Sequence, residues 1–362
     1  MSFPAKQDWE CCKERYLAWW AHEDFGRAGV WVTAPVNEDS GTPCPECPED
    51  VEVRWTDRDF VRQRMDYALA HTYYGGEAFP IWNAGYPGWD SLPVFYGCTV
   101  TLDAETGWHH PFMDKGSLED YDPKAVRIHA DNAWYRMSKA FRAFAMEQCA
   151  GRAVVSTGAF GGCGDTLGSM RSTERLLHDV LDTPDAVLAF EMRLMALWCE
   201  YFDERCADFQ ALGQGTAGWF QLWSPGKFYA SQCDFAYMVS PDVFERCFLP
   251  AIEMQTRFLD HTVHHVDGIG HFAHVDALCS LPRLQAVQIL PGTGKPSPLA
   301  FPETLLKVQR AKKNLHISIS PEEIKPALAM LSSRGLMLET WANSREQAED
   351  ILRYVEKHSV AR

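Results

Sequence analysis

The feature that most constrains the fold of this chain is a repeated alternation of short apolar runs with longer amphipathic segments. Such alternation indicates parallel strands joined by helices. Six or more repeats in one chain favour a closed barrel over two separate sheets. We therefore predict an α/β fold with a single (β/α)8 barrel over residues 1–362. The apolar runs are RAVVSTG, DFQALGQG, HTVHHVDG, LQAVQILPG, NLHISIS and GLMLET.

The N-terminal part departs from this alternation. Residues 1–30 are rich in tryptophan at helical spacing, which predicts a helical cap. After the short run GVWVTAP, a polar stretch over residues 37–56 is interpreted as a loop insertion. A second helix is predicted to begin at Asp57 and to end at the glycine pair Gly75 and Gly76.

Charge and composition narrow the classes of partner. The net charge is −15, with 34 basic and 49 acidic residues, and no cluster of lysine and arginine suits a phosphate backbone, so we expect no nucleic acid partner. No apolar run has the roughly 20 residues that span a bilayer, so we expect no membrane contact and a cytoplasmic protein. The 12 cysteines are then expected to be reduced thiols. A homodimer is compatible with the sequence, which does not fix the oligomeric state.

The segment HHVDGIGHFAHVD, residues 264–276, has the highest density of ligand-forming side chains. Alternation along a strand sends His265 and Asp267 to the same face. Such a pair can bind zinc through nitrogen and oxygen, or the aspartate can orient the histidine as a general acid or base. The structural alternative is a hydrogen-bonded pair that closes the turn after the strand. His271 and His274, which follow, could reach the same place or could lie in a helix N-terminus.

Other candidates lie where strands run into loops, since the chemistry of a barrel gathers at the carboxyl ends of its strands. The glycine-rich segment GGEAFPIWNAGYPGW is unusually aromatic for a linker. Cys233, in SQCDF, is a soft metal ligand, and Glu339 ends the run GLMLE. The residues expected to contact substrate are Glu77, Trp82, Asn83, Tyr86, Phe160, Trp219 and His271.

The order of three segments resembles the uroporphyrinogen decarboxylase superfamily, which also contains zinc-dependent methyltransferases that exchange methyl groups with corrinoid proteins. The segments are YASQCDFAYMVSPDVFERCFLP, HHVDGIGHFAHVDALCSLPRLQAVQILPGTG and GLMLETWANSREQAEDILRYV. The resemblance covers most of the second half of the chain and, more loosely, the first half. It implies a single barrel with the site at its mouth.

Two departures from that superfamily shape the functional expectation. The decarboxylases hold an octacarboxylate with an arginine-rich N-terminal segment, whereas RAGVWVTAPVNEDSG offers only Arg27. The methyltransferases place zinc on a His-x-Cys and on a later Cys, where this chain has His265-Val266-Asp267 and Glu339. Oxygen in place of sulfur gives a harder zinc site, suited to an oxygen- or nitrogen-bound methyl group.

The resulting expectation is a methyltransferase that moves a methyl group between a small O- or N-methylated substrate and a corrinoid protein. Zinc would be bound by His265 and Asp267, with Glu339 or Cys233 as further ligands, and would act as a Lewis acid. The first alternative is a metal-free decarboxylase or lyase on a small carboxylated substrate, with His265 oriented by Asp267. The second is a binding protein that has kept the barrel and lost catalysis.

Overall fold

A seven-stranded sheet forms the centre of the molecule. The computed structural model describes residues 3–36, 41–83 and 88–362. The strands are β1 (Gly29–Pro35), β2 (Thr72–Gly76), β3 (Ile81–Trp82), β4 (Thr99–Leu102), β5 (Gly107–His110), β6 (Val154–Val155), β7 (Thr216–Ala217), β8 (Trp223–Ser224), β9 (Phe228–Gln232), β10 (His261–Asp267), β11 (Ala286–Leu290), β12 (Asn314–Ser318) and β13 (Leu336–Trp341). The order in the large sheet is β2-β1-β13-β12-β11-β10-β9.

The helices precede, connect or follow these strands. They are α1 (Trp9–Trp20), α2 (Val51–Thr56), α3 (Arg58–Ala70), α4 (Leu92–Tyr96), α5 (Ala133–Cys149), α6 (Asp165–Arg171), α7 (Thr173–Asp182), α8 (Pro184–Ala211), α9 (Pro241–Cys247), α10 (Leu249–Phe258), α11 (Val275–Ser280), α12 (Pro302–Arg310), α13 (Ile324–Met330) and α14 (Arg345–His358). No helix among the described residues is both long enough and apolar enough to cross a membrane.

The pairing of the strands confirms the α/β class. Strands β9 to β13 and β1 are paired in parallel, and only β2 is antiparallel within the large sheet. A separate parallel pair joins β3 to β6, and a bridge joins Ser156 to Ala217 of β7. Among the described residues, no strand pairing links β1 to β3, so closure into an eight-stranded barrel stays a prediction.

The predicted helical cap contains α1, which lies at the amino ends of the strands. Its aromatic face packs on residues near the beginnings of the strands, among them Phe228, Val263 and Met337. Trp19 and Trp20 anchor it by donating hydrogen bonds to the carbonyls of Gly335 and Trp223. The carboxyl ends of the same strands, at the opposite edge of the sheet, therefore remain uncovered by this helix.

Three details of the sequence-based prediction are corrected. The run DFQALGQG is the end of helix α8 and the turn after it, and within it Phe209 continues that helix's buried face. The second helix ends at Ala70 rather than at the glycine pair, and Thr72–Gly76, rich in aromatic and β-branched residues, pairs with β1 as a strand. The insertion includes α2, and its residues 37–40 lie outside the described residues.

Candidate functional site

Strand β10 carries His265 and Asp267, the two residues predicted to be catalytic. His265 and Asp267 lie on one face of the strand. His264, the residue before His265, lies on the other face, where its Nδ1 is hydrogen-bonded to Ser231 Oγ at 2.8 Å. The Nε2 atom of His265 is 4.0 Å from Oδ2 of Asp267. The side chain of His265 is 9% exposed and that of Asp267 is 38% exposed, so the imidazole is buried beneath a more accessible carboxylate.

Neighbouring strands extend this position into a polar row. In the parallel register His265 pairs laterally with Gln232 of β9 and with Gln288 of β11, which in turn pairs with His316 of β12. Lateral neighbours point to the same face of a sheet. Nδ1 of His265 donates a hydrogen bond to Oε1 of the buried Gln288. This bond fixes the tautomer in which Nε2 carries the free lone pair.

Asp234 completes a group of three potential metal ligands. It lies one residue beyond Cys233, just after β9. Its carboxylate approaches the imidazole of His265 and the carboxylate of Asp267, and one ligand atom from each of the three residues lies within 4.8 Å of the others. Asp234 is exposed as a residue, but the wall of the concave site partly desolvates its carboxylate, and together with the charge of Asp267 this raises the pKa of Asp234 to about 6. Burial also lowers the pKa of His265, so its imidazole is neutral at neutral pH.

Asp165 holds the loop that carries Asp234. It is the first residue of α6, and its carboxylate accepts hydrogen bonds from the backbone N–H groups of Asp234 at 3.1 Å and Phe235 at 2.9 Å. The amide of Gln232 donates a third bond at 3.3 Å. Burial and the charge of Asp234 raise the pKa of Asp165 to about 7. Asp165, Asp234 and Asp267 thus place three carboxylates around one imidazole.

Two aromatic residues from the turn between β7 and β8 cover the imidazole. The ring centroid of Trp219 is 5.0 Å from that of His265 in an edge-on arrangement, and the centroid of Phe220 is 5.9 Å away. Trp219 is fixed by donation from Nε1 to the carbonyl of Ala230 at 3.1 Å. Phe220 also stacks on His316, at 5.5 Å. These rings limit the access of water to His265.

A cavity of about 520 Å³ opens beside these residues. His265, Asp165, Asp234 and Trp219 line it together with Asn83. A second cavity of about 540 Å³ shares Asp165 and Asp234 with the first and extends toward Trp108 and Met238. Both volumes lie within the range of pockets for small molecules. The carboxyl ends of β9 and β10 therefore open onto a continuous space of ligand size.

The structure brings only part of the predicted substrate-binding set to this cavity. Asn83 and Trp219 line it, and their contact with substrate stays a prediction. Tyr86 lies outside the described residues. Trp82 and Phe160 do not line the cavity, because both side chains are fully buried in the core; Phe160 stacks on Trp198 at 5.3 Å. For these two residues the expectation of substrate contact is corrected to a packing role.

Glu77 is also displaced from the expected site. Its carboxylate is fully buried and accepts hydrogen bonds from Arg15, from both Nη atoms of Arg27 at 2.7 and 3.0 Å, and from the backbone N–H of Val30. Burial alone would raise its pKa, but the two guanidinium groups outweigh burial and hold the pKa of Glu77 below its usual value. With its oxygens bound by these donors, Glu77 has a structural role.

His271 belongs to a buried histidine group rather than to the cavity. It lies in a short 3-10 helix after β10, is fully buried, and has no hydrogen-bond partner on either ring nitrogen among the described residues. Its ring lies 5.5 Å from that of His264 and 5.7 Å from that of His274. The expected contact of His271 with substrate is therefore corrected, because this group lies on the opposite face of β10 from His265.

Two of the four predicted metal ligands are not brought together with the others. Cys233 is fully buried with its thiol directed to Cys163, and burial raises the pKa of that thiol to about 11. Glu339 of β13 pairs instead with His316, its Oε2 lying 3.2 Å from Nε2. Within the described part of the chain, the group that could hold a metal contains Asp234, His265 and Asp267. Asp234 takes the place that was predicted for Cys233.

The sequence contained a signal for the residues that were missed. Asp234 directly follows Cys233 in SQCDF, and a residue after a strand in this fold points toward the same end of the sheet as Asp267. Asp165 lies in the glycine-rich segment GGCGDTLGSMR, as the first residue of α6. Gln288, in the middle of an apolar run, is a buried polar residue that requires a partner.

No protein-family model matches the chain, and no curated protein matches it.

Proposed function

We propose that the protein is a metal-dependent methyltransferase that moves a methyl group between a small O- or N-methylated substrate and the corrinoid of a partner protein. Zinc would be held by Asp234, His265 and Asp267. The observation that carries the proposal is the convergence of one ligand atom from each of these residues within 4.8 Å beside a cavity of ligand size. The proposal includes closure of the strands into a (β/α)8 barrel like that of the uroporphyrinogen decarboxylase superfamily.

The donor set fits zinc. A neutral imidazole and carboxylates are accepted zinc ligands, and three protein ligands leave a fourth position for substrate or water in catalytic sites. Nε2 of His265 carries no hydrogen bond from the described residues, and its lone pair is available because Nδ1 donates to Gln288. Such a second partner of a ligating histidine orients the ring and increases its basicity.

Each neighbouring residue then has a defined task. Asp234, His265 and Asp267 would hold the zinc, which when bound would supply a Lewis acid for the heteroatom that carries the methyl group. Asp165 holds the Asp234 loop in place through two backbone hydrogen bonds. Trp219 and Phe220 exclude water from the imidazole, which strengthens electrostatic interactions at the site.

Exposed apolar side chains near the mouth support a protein partner. Trp108 is 60% exposed and Met238 is 44% exposed, and both border the second cavity. Tyr237 and Ile269, close to Gly268, are exposed as well. Exposed apolar residues that rim a cavity are typical of interaction sites. This surface is where we propose that a corrinoid protein docks.

One observation favours a second candidate, a metal-free lyase. Without a cation, the raised pKa values of Asp165 and Asp234, about 7 and about 6, leave a fraction of protonated carboxyl at neutral pH. A carboxyl group titrating near the working pH can act as a general acid. Bound metal would abolish this behaviour, since a cation favours the ionised form.

Elemental analysis of protein purified without chelator tests the proposal. We expect about one zinc per chain in the wild type, loss of zinc in His265→Ala and Asp267→Asn, and retention in the control Glu339→Gln. Methyl transfer to reduced cobalamin, followed by its absorbance, should fail in the same two variants. Activity that survives a strong chelator and needs no corrinoid would favour the lyase instead.

A further inference from the structure

The wall of the cavity indicates the charge of its substrate. Among the described residues that line the two connected cavities, none is lysine or arginine. Binding sites for carboxylates and phosphates usually employ these cations. His265 is assigned to the metal, and burial lowers the pKa of His109, so the imidazole of His109 supplies no positive charge at neutral pH. The site therefore offers no side-chain cation to an anionic substrate.

The wall is instead rich in neutral hydrogen-bonding groups. Side chains of this kind both donate and accept, which matches a ligand whose groups also do both, as hydroxyl groups do. The first cavity has Asn83, Ser91, Thr106, Thr166, Ser169 and Gln232 in its wall. Trp219, in the same wall, adds an amphipathic aromatic surface.

One polar atom in this wall lacks a partner. Oδ1 of Asn83 is buried and accepts no hydrogen bond within the described part of the chain. A buried acceptor without a donor is uncommon in folded proteins. A hydroxyl group of a bound ligand would satisfy it, whereas a carboxylate or an ether oxygen has no hydrogen to donate.

The chemistry at the metal site selects between the two kinds of methyl donor. A Lewis acid polarises a heteroatom through a lone pair, which an ether oxygen has and an alkylated or protonated ammonium nitrogen lacks. An N-methylated cation would therefore gain charge attraction from Asp165 and Asp234 but no activation by zinc.

Resting on the proposed function, we infer that the substrate is a neutral polyhydroxylated methyl ether, such as an O-methylated sugar. In the reaction the methyl carbon–oxygen bond breaks and both electrons stay with oxygen, which takes a proton from water and leaves as a hydroxyl group. The methyl group bonds to the reduced corrinoid of the partner protein, which supplies the electron pair of the new bond and is formally oxidised by two electrons.

A charge series on one sugar skeleton tests this inference. Binding of the mono-O-methylglucoses to the zinc-loaded protein would be measured by calorimetry, beside the corresponding O-methylglucosamines and O-methylglucuronates. We expect at least one neutral ether to bind roughly 10-fold more tightly than its charged counterparts. Equal or tighter binding of the carboxylate or ammonium form, or binding of none of the sugars, would overturn the inference.

Variants locate the binding in the cavity. Asn83→Ala should weaken binding of the neutral ether roughly 10-fold while zinc content stays unchanged. The control Gln210→Ala, in α8, should leave both unchanged. If Asn83→Ala does not alter sugar affinity, the assignment of this wall is wrong.

The outcomes also separate this inference from the proposed function. If the protein binds zinc but demethylates only a charged donor, the inference on the substrate is refuted and the proposed methyltransferase function stands. If the protein prefers the neutral ether but binds no zinc and transfers no methyl group, the inference that the ligand is neutral stands and the proposed methyltransferase function is refuted.

Discussion

Two sets of carboxylates differ in what neutralises their charge. In the first set, Glu77 is bound by Arg15 and Arg27. Asp90, also in the first set, forms a bidentate ion pair with Arg205, and the two oxygen–nitrogen distances of this pair are 2.7 and 3.0 Å. The second set consists of Asp165, Asp234 and Asp267, which surround His265. Among the described residues, no arginine or lysine forms an ion pair with any of these three aspartates.

The pKa values report this difference. Although burial opposes ionisation in both sets, arginine holds the pKa values of Glu77 and Asp90 below their usual range. In the second set, burial and mutual repulsion raise the pKa values of Asp165 and Asp234. The charge of the arginine-paired carboxylates is neutralised within the protein and needs no ligand. A bound cation would stabilise the ionised form of the cavity carboxylates.

Removing the charge of Glu77 should have the largest effect in the first set. Glu77→Gln leaves Arg15 and Arg27 without their buried counter-charge, and we expect a loss of about 3–5 kcal/mol in the free energy of unfolding. Urea denaturation measures it. The exposed Glu14→Gln on α1 is the control, with an expected change within about 0.5 kcal/mol. A loss below about 1 kcal/mol would contradict the structural role.

Removing a ligand from the second set should act on the metal instead. In Asp234→Asn we expect zinc affinity to fall at least about 100-fold, roughly 2.7 kcal/mol, because a charged ligand becomes a weak neutral one. Competition with a chromophoric chelator measures it. The stability of the metal-free protein should not fall, since the change also removes repulsion from Asp267. Unaltered affinity would exclude Asp234 as a ligand.

A smaller effect is expected at Asp165, which acts through Asp234. Asp165→Asn weakens the hydrogen bonds to the backbone of Asp234 and Phe235, and zinc affinity should fall about 10- to 100-fold. Asp242→Asn, in the first turn of α9, is the matched control. If Asp165→Asn weakened zinc binding as strongly as Asp234→Asn, a direct contact with the metal would be the better account.

The smallest effect should appear in the pH dependence of stability without metal. The folded-state pKa values of Asp165 and Asp234 lie above the unfolded value of about 3.9, so the folded state binds more protons between about pH 4 and pH 7. These two groups therefore make stability fall as the pH rises through that window. Urea midpoints in a chelator should show a shallower fall in the Asp165→Asn, Asp234→Asn double variant. An identical slope would contradict the raised pKa values.

Several parts of the molecule were predictable because they depend on local periodicity. The strands β10 to β13 follow from apolar runs, and the shared face of His265 and Asp267 follows from the two-residue repeat of a strand. Helix α1 follows from its aromatic spacing. The apolar run at the end of α8 was wrongly predicted as a strand, because a short apolar run is compatible with either structure. The short strand β9 before Asp234 was not predicted.

The sequence by itself determined that this is an α/β protein with a histidine and an aspartate side by side at the end of a strand. Only the tertiary structure decided which residues join them, because partners come from strands and loops far apart in the chain. Asp234 rather than Cys233 faces Asp267, since the backbone after β9 turns the thiol toward Cys163 in the core and the carboxylate toward the cavity. Likewise, Glu77 is structural because folding brings Arg15 and Arg27 to it, which no spacing along the sequence reveals.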